Sequence, residues 1–327
     1  MNPIYVDTRS EDACFNFGVE YYFAAEKRLN APVFLFWRTK PTLMVGKYQN
    51  TYEEIDLAYA WEHHIEVVRR MSGGGTIYTD PGGWQYSFIA HDGDERIHFD
   101  AFLAPVLRAL HGLGLDAAFS GRNDILIDSK KVSGTAQYKL AGSTVHHGSL
   151  LFDTDLDEMA RATTVDASKI ASKGICSVRE RVTNIRTHLT VDMDVEAFRA
   201  YTVRAIAGGA APYILTDAER AACDRLADKR FRPWEFRFGA NPRFSMTKTG
   251  RFDGGTLTVR LDVSHGAIKA ASVSGDFFGG AGVDRLADVL VGCRLEHGSL
   301  LERLRSAGMD RAILGISAED IAVLLSA

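Results

Sequence analysis

Short β-rich runs, broken at close intervals by glycine, aspartate and proline clusters, constrain this chain more than any other feature. Pro32 to Trp37, Thr42 to Val45, Ile65 to Val68, Tyr86 to Ala90, Ile125 to Ile127 and Ser149 to Phe152 have this character. Apolar and β-branched runs bounded by turn-forming residues predict strands. Regular crossover helices between them are few, which argues against a doubly wound parallel sheet and for an α+β domain. Helical patterns lie elsewhere. Ser10 can cap a helix in which Cys14, Phe17, Tyr21, Ala25 and Leu29 recur at spacings of three and four. Phe102 to Leu113 reads as a helix ended by Gly112 and Gly114, and Asp194 to Ile206 and Thr216 to Lys229 read as two more.

A chain of 327 residues suggests about two domains. The composition shifts near residue 240. Arg230 to Pro242 sets two prolines among aromatics and arginines, and β-rich stretches at Leu257 to Val263 and Ile268 to Gly275 follow, with helical patterns after them. The expected division is a large α+β domain, 1–242, and a small α+β domain, 243–327.

The chain is 46% hydrophobic and 24% charged, so it can bury a sizeable core. Its net charge of -4 argues against a general nucleic-acid binder but permits a local basic pocket. No apolar run approaches the roughly 18 residues of a membrane span. The N-terminus has no basic stretch leading an apolar one, so a cytoplasmic protein is expected. Cys14, Cys176, Cys223 and Cys293 are far apart and show no CxxC spacing. Free or buried thiols fit this better than disulfides or a zinc site.

No GxxxxGK[ST] is present, and the glycines at 279, 280 and 282 lack GxGxxG spacing. A P-loop or Rossmann dinucleotide site is therefore not expected. Three other segments carry chemistry. The first is Arg69 to Asp80, in which Gly73, Gly74 and Gly75 lie between two strand-like runs. Glycine permits positive φ and close approach of a ligand, and successive amides can cradle a phosphate or carboxylate. Arg70 offers a forked, permanently charged donor to the same oxygens. Taken alone, the segment also reads as a flexible hairpin turn with a surface arginine. The second runs from Gly121 to Ala136. Asn123 and Asp124 supply hard oxygen ligands suited to a nucleotide-bound Mg²⁺. Lys131, before Val132 and Ser133, can pair with an α-phosphate and polarise a carbonyl oxygen. Alone, it reads better as a hairpin with two solvated lysines. The third is His146 to Phe152. Adjacent histidines on a strand point to opposite faces, so a zinc pair is not expected. His63 and His64 have no supporting neighbours and read as surface.

In this order and spacing the three segments resemble the lipoate–protein ligase family. RRMSGGGTIYTDPG is similar to its RRxSGGGAVxHDxGN motif, GRNDILIDSKKVSGTA to its GRND…GKKxSGxA motif, and HHGSLLFDTDL to its HHGTLLxxxDL motif. Val45 to Asn50, the stretch 173–185 and Gly275 to Phe278 add weaker similarity. The resemblance covers nearly the whole chain. It implies a biotin/lipoate-ligase-like catalytic domain with a mixed, largely antiparallel sheet and an accessory C-terminal domain.

The resemblance also implies a two-step reaction. ATP and lipoate form lipoyl-AMP, and the lipoyl group then passes to a lysine of an acceptor. The implied acceptors are the lipoyl domains of 2-oxoacid dehydrogenase E2 subunits and the glycine-cleavage H protein, and the implied state is a monomer. Lys131 matches the catalytic lysine. Arg70, Ser72, Gly73, Gly74, Gly75, Thr76, Ile77, Tyr78, Asp80, Asn123, Ser133, Ala136 and His147 match binding positions. Asp124 matches the Mg²⁺ position.

There are departures. The motif's His is Thr79, its Asn is Gly83, and the following Leu-Asn is Trp84-Gln85. Trp84 either fills core space or changes the acyl chain accepted. Two other functions stay open: an ATP-independent octanoyl or lipoyl transferase using Cys176 as nucleophile, and a non-catalytic lipoate-binding protein. A biotin ligase would carry a GRGRxGR-like loop, and none is present.

Overall fold

A computed structural model of the chain describes residues 2–93, 99–120, 123–163, 181–241, 244–277 and 283–327. Gly121, Arg122, Cys176, the stretch 173–180, Pro242, Phe278 and the glycines at 279, 280 and 282 lie outside the described residues. The chain forms two compact units, one of residues 1–49 and 53–233, the other of 50–52 and 234–327. No helix among the described residues is long and apolar enough to cross a membrane.

The first unit contains strands β1 (Ile4–Asp7), β2 (Val33–Trp37), β3 (Thr42–Val45), β4 (Glu66–Arg69), β5 (Ile77–Thr79) and β6 (Trp84–Ala90). It continues with β7 (Ala117–Phe119), β8 (Asp124–Ile127), β9 (Lys130–Leu140), β10 (Ser143–Leu150) and β11 (Tyr213–Ile214). Eight of them form one sheet in the order β11-β1-β2-β6-β10-β9-β8-β7, and β4-β3-β5 form a second. The large sheet is parallel only at β11-β1-β2 and antiparallel elsewhere. The expected mixed, largely antiparallel α+β architecture is therefore observed.

β2 is buried along its whole length because both of its faces are covered. Phe34 and Phe36 join Trp84, Phe88, Leu103, Val106 and Phe198 in one core cluster, which also takes in the helices Asp100–His111 and Val195–Ala207. Trp37 points to the opposite face, where its ring meets Phe17 edge-on at 5.7 Å.

Several boundaries differ from the sequence expectation. The first helix is Ala13–Tyr21 and its cap is Asp12, whose carboxylate accepts from the Phe15 amide. Ser10 accepts instead from the Asp12 amide. The helix continues as a π-turn, Tyr22–Glu26, and stops short of Leu29. The strand expected at Ser149 to Phe152 is the end of β10, which begins at Ser143. β9 was not foreseen at its length of 11 residues, because polar residues are spaced through it.

Thr216 and Glu219 form a capping box on the helix Asp217–Arg230. The buried Glu219 carboxylate also receives the Lys27 ammonium and, at 2.7 Å, the Tyr213 hydroxyl. Burial pushes its pKa up, but Lys27, Tyr213 and Thr216 outweigh this and hold it at about 2, against an ordinary 4.5. A carboxyl depressed in the folded state contributes stability that is complete above its unfolded pKa. That contribution disappears as pH falls through the folded value. Denaturant titrations between pH 7 and 2 should therefore show a steep acid limb below about pH 4.5. Glu219→Gln should lower stability at pH 7 and flatten this limb. An unchanged limb would contradict the role given to Glu219.

The second unit holds an antiparallel sheet of β12 (Phe244–Phe252), β13 (Gly255–Ser264) and β14 (Ala267–Gly275), with the helices His297–Ser306 and Ala318–Ser326. β12 carries few apolar residues, which hid it in the sequence. Asn50–Tyr52 belong to this unit although they are remote in sequence. Thr51 donates its amide and hydroxyl to Asn241 Oδ1, both at 3.0 Å, and the Tyr52 hydroxyl donates to the Leu295 carbonyl.

Candidate active site

The glycine segment is not a hairpin turn. β4 and β5 do not pair with each other; β3 lies between them, parallel to β4 and antiparallel to β5. Residues 70–76 must therefore cross over β3, and a second loop, residues 46–49, lies against the crossing. Lys47 donates its amide to the Ser72 carbonyl at 2.8 Å. Gln49 Oε1 accepts from the Gly46 amide at 2.8 Å and the Thr76 hydroxyl at 3.0 Å. Arg69 is fully buried and donates to the carbonyls of Gly46, Lys47 and Gln49. Of the three glycines only Gly74 takes a positive φ, at 93°. The amides of Gly73, Gly74 and Gly75 meet no acceptor among the described residues.

Arg70 is almost wholly committed to this loop. Nη1 donates to the Met44 carbonyl at 2.7 Å, Nη2 to the Gly73 and Gly75 carbonyls at 2.9 and 2.6 Å, and Nε to Ser72 Oγ at 3.1 Å. Sequence reasoning gave it the role of a free forked donor to ligand oxygens. The structure makes it the buttress of the loop, with its charge facing the cleft. Burial, and then the neighbouring Arg69, pull its pKa down to about 10, so it stays protonated at neutral pH.

Behind Arg70 lies a buried chain that the sequence did not reveal. Ser72 Oγ stands 2.6 Å from His147 Nε2, and His147 Nδ1 stands 3.1 Å from the Glu20 carboxylate. Glu20 also accepts from the hydroxyls of Ser87 at 2.5 Å and Tyr138 at 3.3 Å. A carboxylate only accepts, so the His147 proton sits on Nδ1 and Nε2 faces the serine. Serine, histidine and carboxylate in line have the connectivity of a hydrolytic triad. Yet Ser72 is 1% exposed and its oxygen already accepts from Arg70. The chain is a support for the loop, and no acyl group reaches Ser72. His146 faces away, stacked on Phe102 at 5.1 Å, so the two histidines diverge as expected.

The loop closes one side of a narrow cleft of about 110 Å³. Arg70, Gly74, Gly75, Thr76, Ile77, Asn123, Lys131, Ala136 and His147 line it. Ser72, Gly73, Tyr78, Asp80, Asp124 and Ser133 do not. Ser72 and Gly73 support the loop from behind and beside it. Tyr78 follows Ile77 onto the other face of β5. Asp80 is buried, and its carboxylate accepts the Gly82 and Asp155 amides at 3.0 and 2.8 Å, a structural role. Ser133 is fully buried beside the Tyr86 hydroxyl. Asp124 stands at the rim, with Oδ1 2.8 Å from the Lys131 ammonium. No carboxylate is among the described lining residues, although Asp124 at the rim offsets part of the Lys131 charge. Phe17, Trp37, Met44 and Ile77 supply apolar wall.

Three of the four departures noted in the sequence, Thr79, Gly83 and Trp84, fall outside this wall. Thr79 is buried against the Thr39 hydroxyl at 2.7 Å. Gly83 turns the chain before β6, donating to the Asp80 carbonyl. Trp84 fills the core, stacked on Phe36 at 5.0 Å, with its indole N–H donating to the Val195 carbonyl. Gln85, pointing the other way, lines the cleft.

Gly134 makes room for Lys131. A Cβ at 134 would lie 2.8 Å from Nζ and 2.9 Å from Cε. Gly134→Ala is therefore expected to fold, since a flexible side-chain end can move, but to push the ammonium off its place. Circular dichroism should be unchanged, and any activity that depends on the ammonium should fall at least tenfold. Full activity would show that the ammonium need not occupy this position.

Residues 12–207 match the model of the lipoyl protein ligase A/B catalytic domain, and residues 241–325 match that of the bacterial lipoate protein ligase C-terminus. This chain belongs to the lipoate–protein ligase family, a family of ligases. Lipoate-protein ligase LplJ of Bacillus subtilis is 35% identical over 329 residues, covering 98% of this chain and 99% of that relative. Lipoate–protein ligase 1 of Staphylococcus aureus is 38% identical over 285 residues, covering 86% and 87%. The fold matches a bipartite lipoate protein ligase from Thermoplasma acidophilum with a TM-score of 0.65 at 24% identity, over 73% of this chain and 97% of that one. It matches a lipoate-protein ligase A bound with ATP at 0.61 and 23%, over 73% and 100%. It also matches P. falciparum LipL1 in complex with lipoate at 0.62 and 18%, over 99% and 98%.

Proposed function

We propose that this ligase-family chain activates lipoate with ATP and transfers the lipoyl group to a lysine of lipoyl-acceptor domains. The observation that carries the reading is the polarity of the cleft. The cleft is lined by Lys131, Arg70 and unpartnered glycine amides together with the apolar side chains of Phe17, Trp37, Met44 and Ile77. Such a site fits an amphiphilic acid whose carboxylate must meet a second anion.

The chemistry follows from that meeting. A lipoate carboxylate oxygen attacks the α-phosphorus, the bond to the bridging oxygen breaks, and pyrophosphate leaves with the electron pair. Lys131 offsets the repulsion between the two anions and then polarises the carbonyl of the mixed anhydride. The Gly74 and Gly75 amides hold phosphate oxygens, with Arg70, Ser72, His147 and Glu20 keeping the loop in place. The acceptor ε-amine attacks the carbonyl carbon, loses a proton, and AMP departs. The apolar wall excludes water from the anhydride. Mg²⁺ held by the Asp124 carboxylate and phosphate oxygens would neutralise pyrophosphate charge. A single hard carboxylate at the rim suits that ion, which commonly binds through one or two carboxylates plus phosphates.

We assign catalysis to 1–242 and an accessory role to 243–327. The acceptors proposed are lipoyl domains of 2-oxoacid dehydrogenase E2 subunits and the glycine-cleavage H protein, used by a cytoplasmic monomer. Isotope exchange between pyrophosphate and ATP should require lipoate. Exchange without lipoate, or none with it, would refute the adenylation step.

A thioester transferase finds no support in the described cysteines. Cys14, Cys223 and Cys293 are buried, form no disulfide among the described residues and do not line the cleft, and burial pushes the Cys223 thiol up to about 12. Cys176 lies outside the described residues.

A further inference from the structure

Gln85 lies on β6, in the cleft wall, where the catalytic reading gives it no role. It is 4% exposed, and its carboxamide makes no hydrogen bond among the described residues. With no protein partner among the described residues, the carboxamide is left to meet whatever occupies the cleft, and an occupant that excludes water must pair with it or leave it unsatisfied.

Strand register fixes its distance from the charged end. Gln85 pairs with Trp37 on β2 and Ser149 on β10, and the adjacent Gly148 pairs with Thr135 on β9. The row from Gln85 therefore crosses β10 to Gly134, over which the Lys131 ammonium lies. Two strand spacings, about 10 Å, separate the amide from that end. A medium-length acyl chain with its carboxyl group at Lys131 spans this gap, so its distal end meets Gln85 and Trp37.

We propose that Gln85 is a specificity-determining residue. Its carboxamide selects acids whose distal end presents polarisable, hydrogen-bond-accepting atoms, such as dithiolane sulfurs, over saturated chains of equal length. Sulfur is a weak acceptor, but a hydrocarbon tail offers nothing and leaves the desolvated amide orphaned. The proposal rests on assigning the cleft to lipoate.

The test titrates lipoate and octanoate against the full chain by tryptophan fluorescence without ATP, using Trp37 as reporter. The same acids are compared in pyrophosphate exchange. Wild type should prefer lipoate, and Gln85→Leu should shrink that preference about tenfold, mainly by improving octanoate. Gln85→Met, close in shape, should move it the same way and carries the test if the leucine variant does not fold. An unchanged preference in both variants overturns the proposal, as does equal binding of both acids by wild type or equal loss of both acids in the variants. Selective binding that the variants lose, without exchange in wild type, would sink the adenylation reading and leave Gln85 standing. Exchange with the same acid preference in all three proteins would do the reverse.

Discussion

Lys131→Ala should reduce lipoate-dependent pyrophosphate exchange by about 10²–10³-fold, the scale of losing one preorganised charge at a reacting oxyanion. The chain should still fold. The Lys131 and Asp124 side chains are each about one-third exposed, and the pair sits at a rim. Exposed ion pairs contribute little to stability. The loss should appear mainly in kcat, because the charge is needed where two anions approach. Lys131→Arg should not restore activity. A guanidinium is a larger, planar fork, and the lysine end already occupies the space above Gly134. A folded Lys131→Ala variant with full exchange would remove the central residue of the mechanism.

Gly46→Ala should be the most damaging single-methyl addition near the site. A Cβ there would lie 2.1 Å from the Gly74 carbonyl oxygen and 3.1 Å from Gln49 Oε1. The first atom is backbone and cannot swing away. Overpacking of this kind costs about 1–3 kcal/mol. Here the strain falls between the 46–49 loop and the glycine loop that it backs in the cleft wall, so Gly74 to Thr76 must shift. We expect a lower melting temperature together with a marked rise in the KM for ATP. Gly298→Ala, in the helix His297–Ser306 with nothing within 4 Å of the added carbon, should leave both unchanged. A Gly46→Ala protein with normal KM for ATP would show that the loops tolerate separation.

Much of this was legible in the sequence because it is local. Gly73 to Gly75, Lys131 and His147 announce themselves by neighbours a few residues away, and the structure brings Gly75, Lys131 and His147 to one cleft. The supports are not local. Glu20 meets His147 across 127 residues, and no pattern around the NFGVEYY stretch marks a buried carboxylate as a loop anchor. Arg69 and Arg70 read alike in sequence, yet one holds residues 46–49 and the other holds 73–75. Only the path over β3 separates them. Period-two alternation decides Trp84 against Gln85: the large aromatic drew notice, but the strand turns it to the core and sends the amide to the cleft. The cap at Asp12 instead of Ser10 is a two-residue question, settled by which carboxylate reaches the Phe15 amide.

The most direct test uses purified protein, lipoate and an apo lipoyl domain, with and without Mg-ATP, followed by the intact mass of the acceptor. The account predicts a gain of one lipoyl group that requires ATP and is absent with Lys131→Ala. An acceptor unchanged with ATP, but modified from an octanoyl carrier protein in a reaction lost on Cys176→Ser, would contradict it.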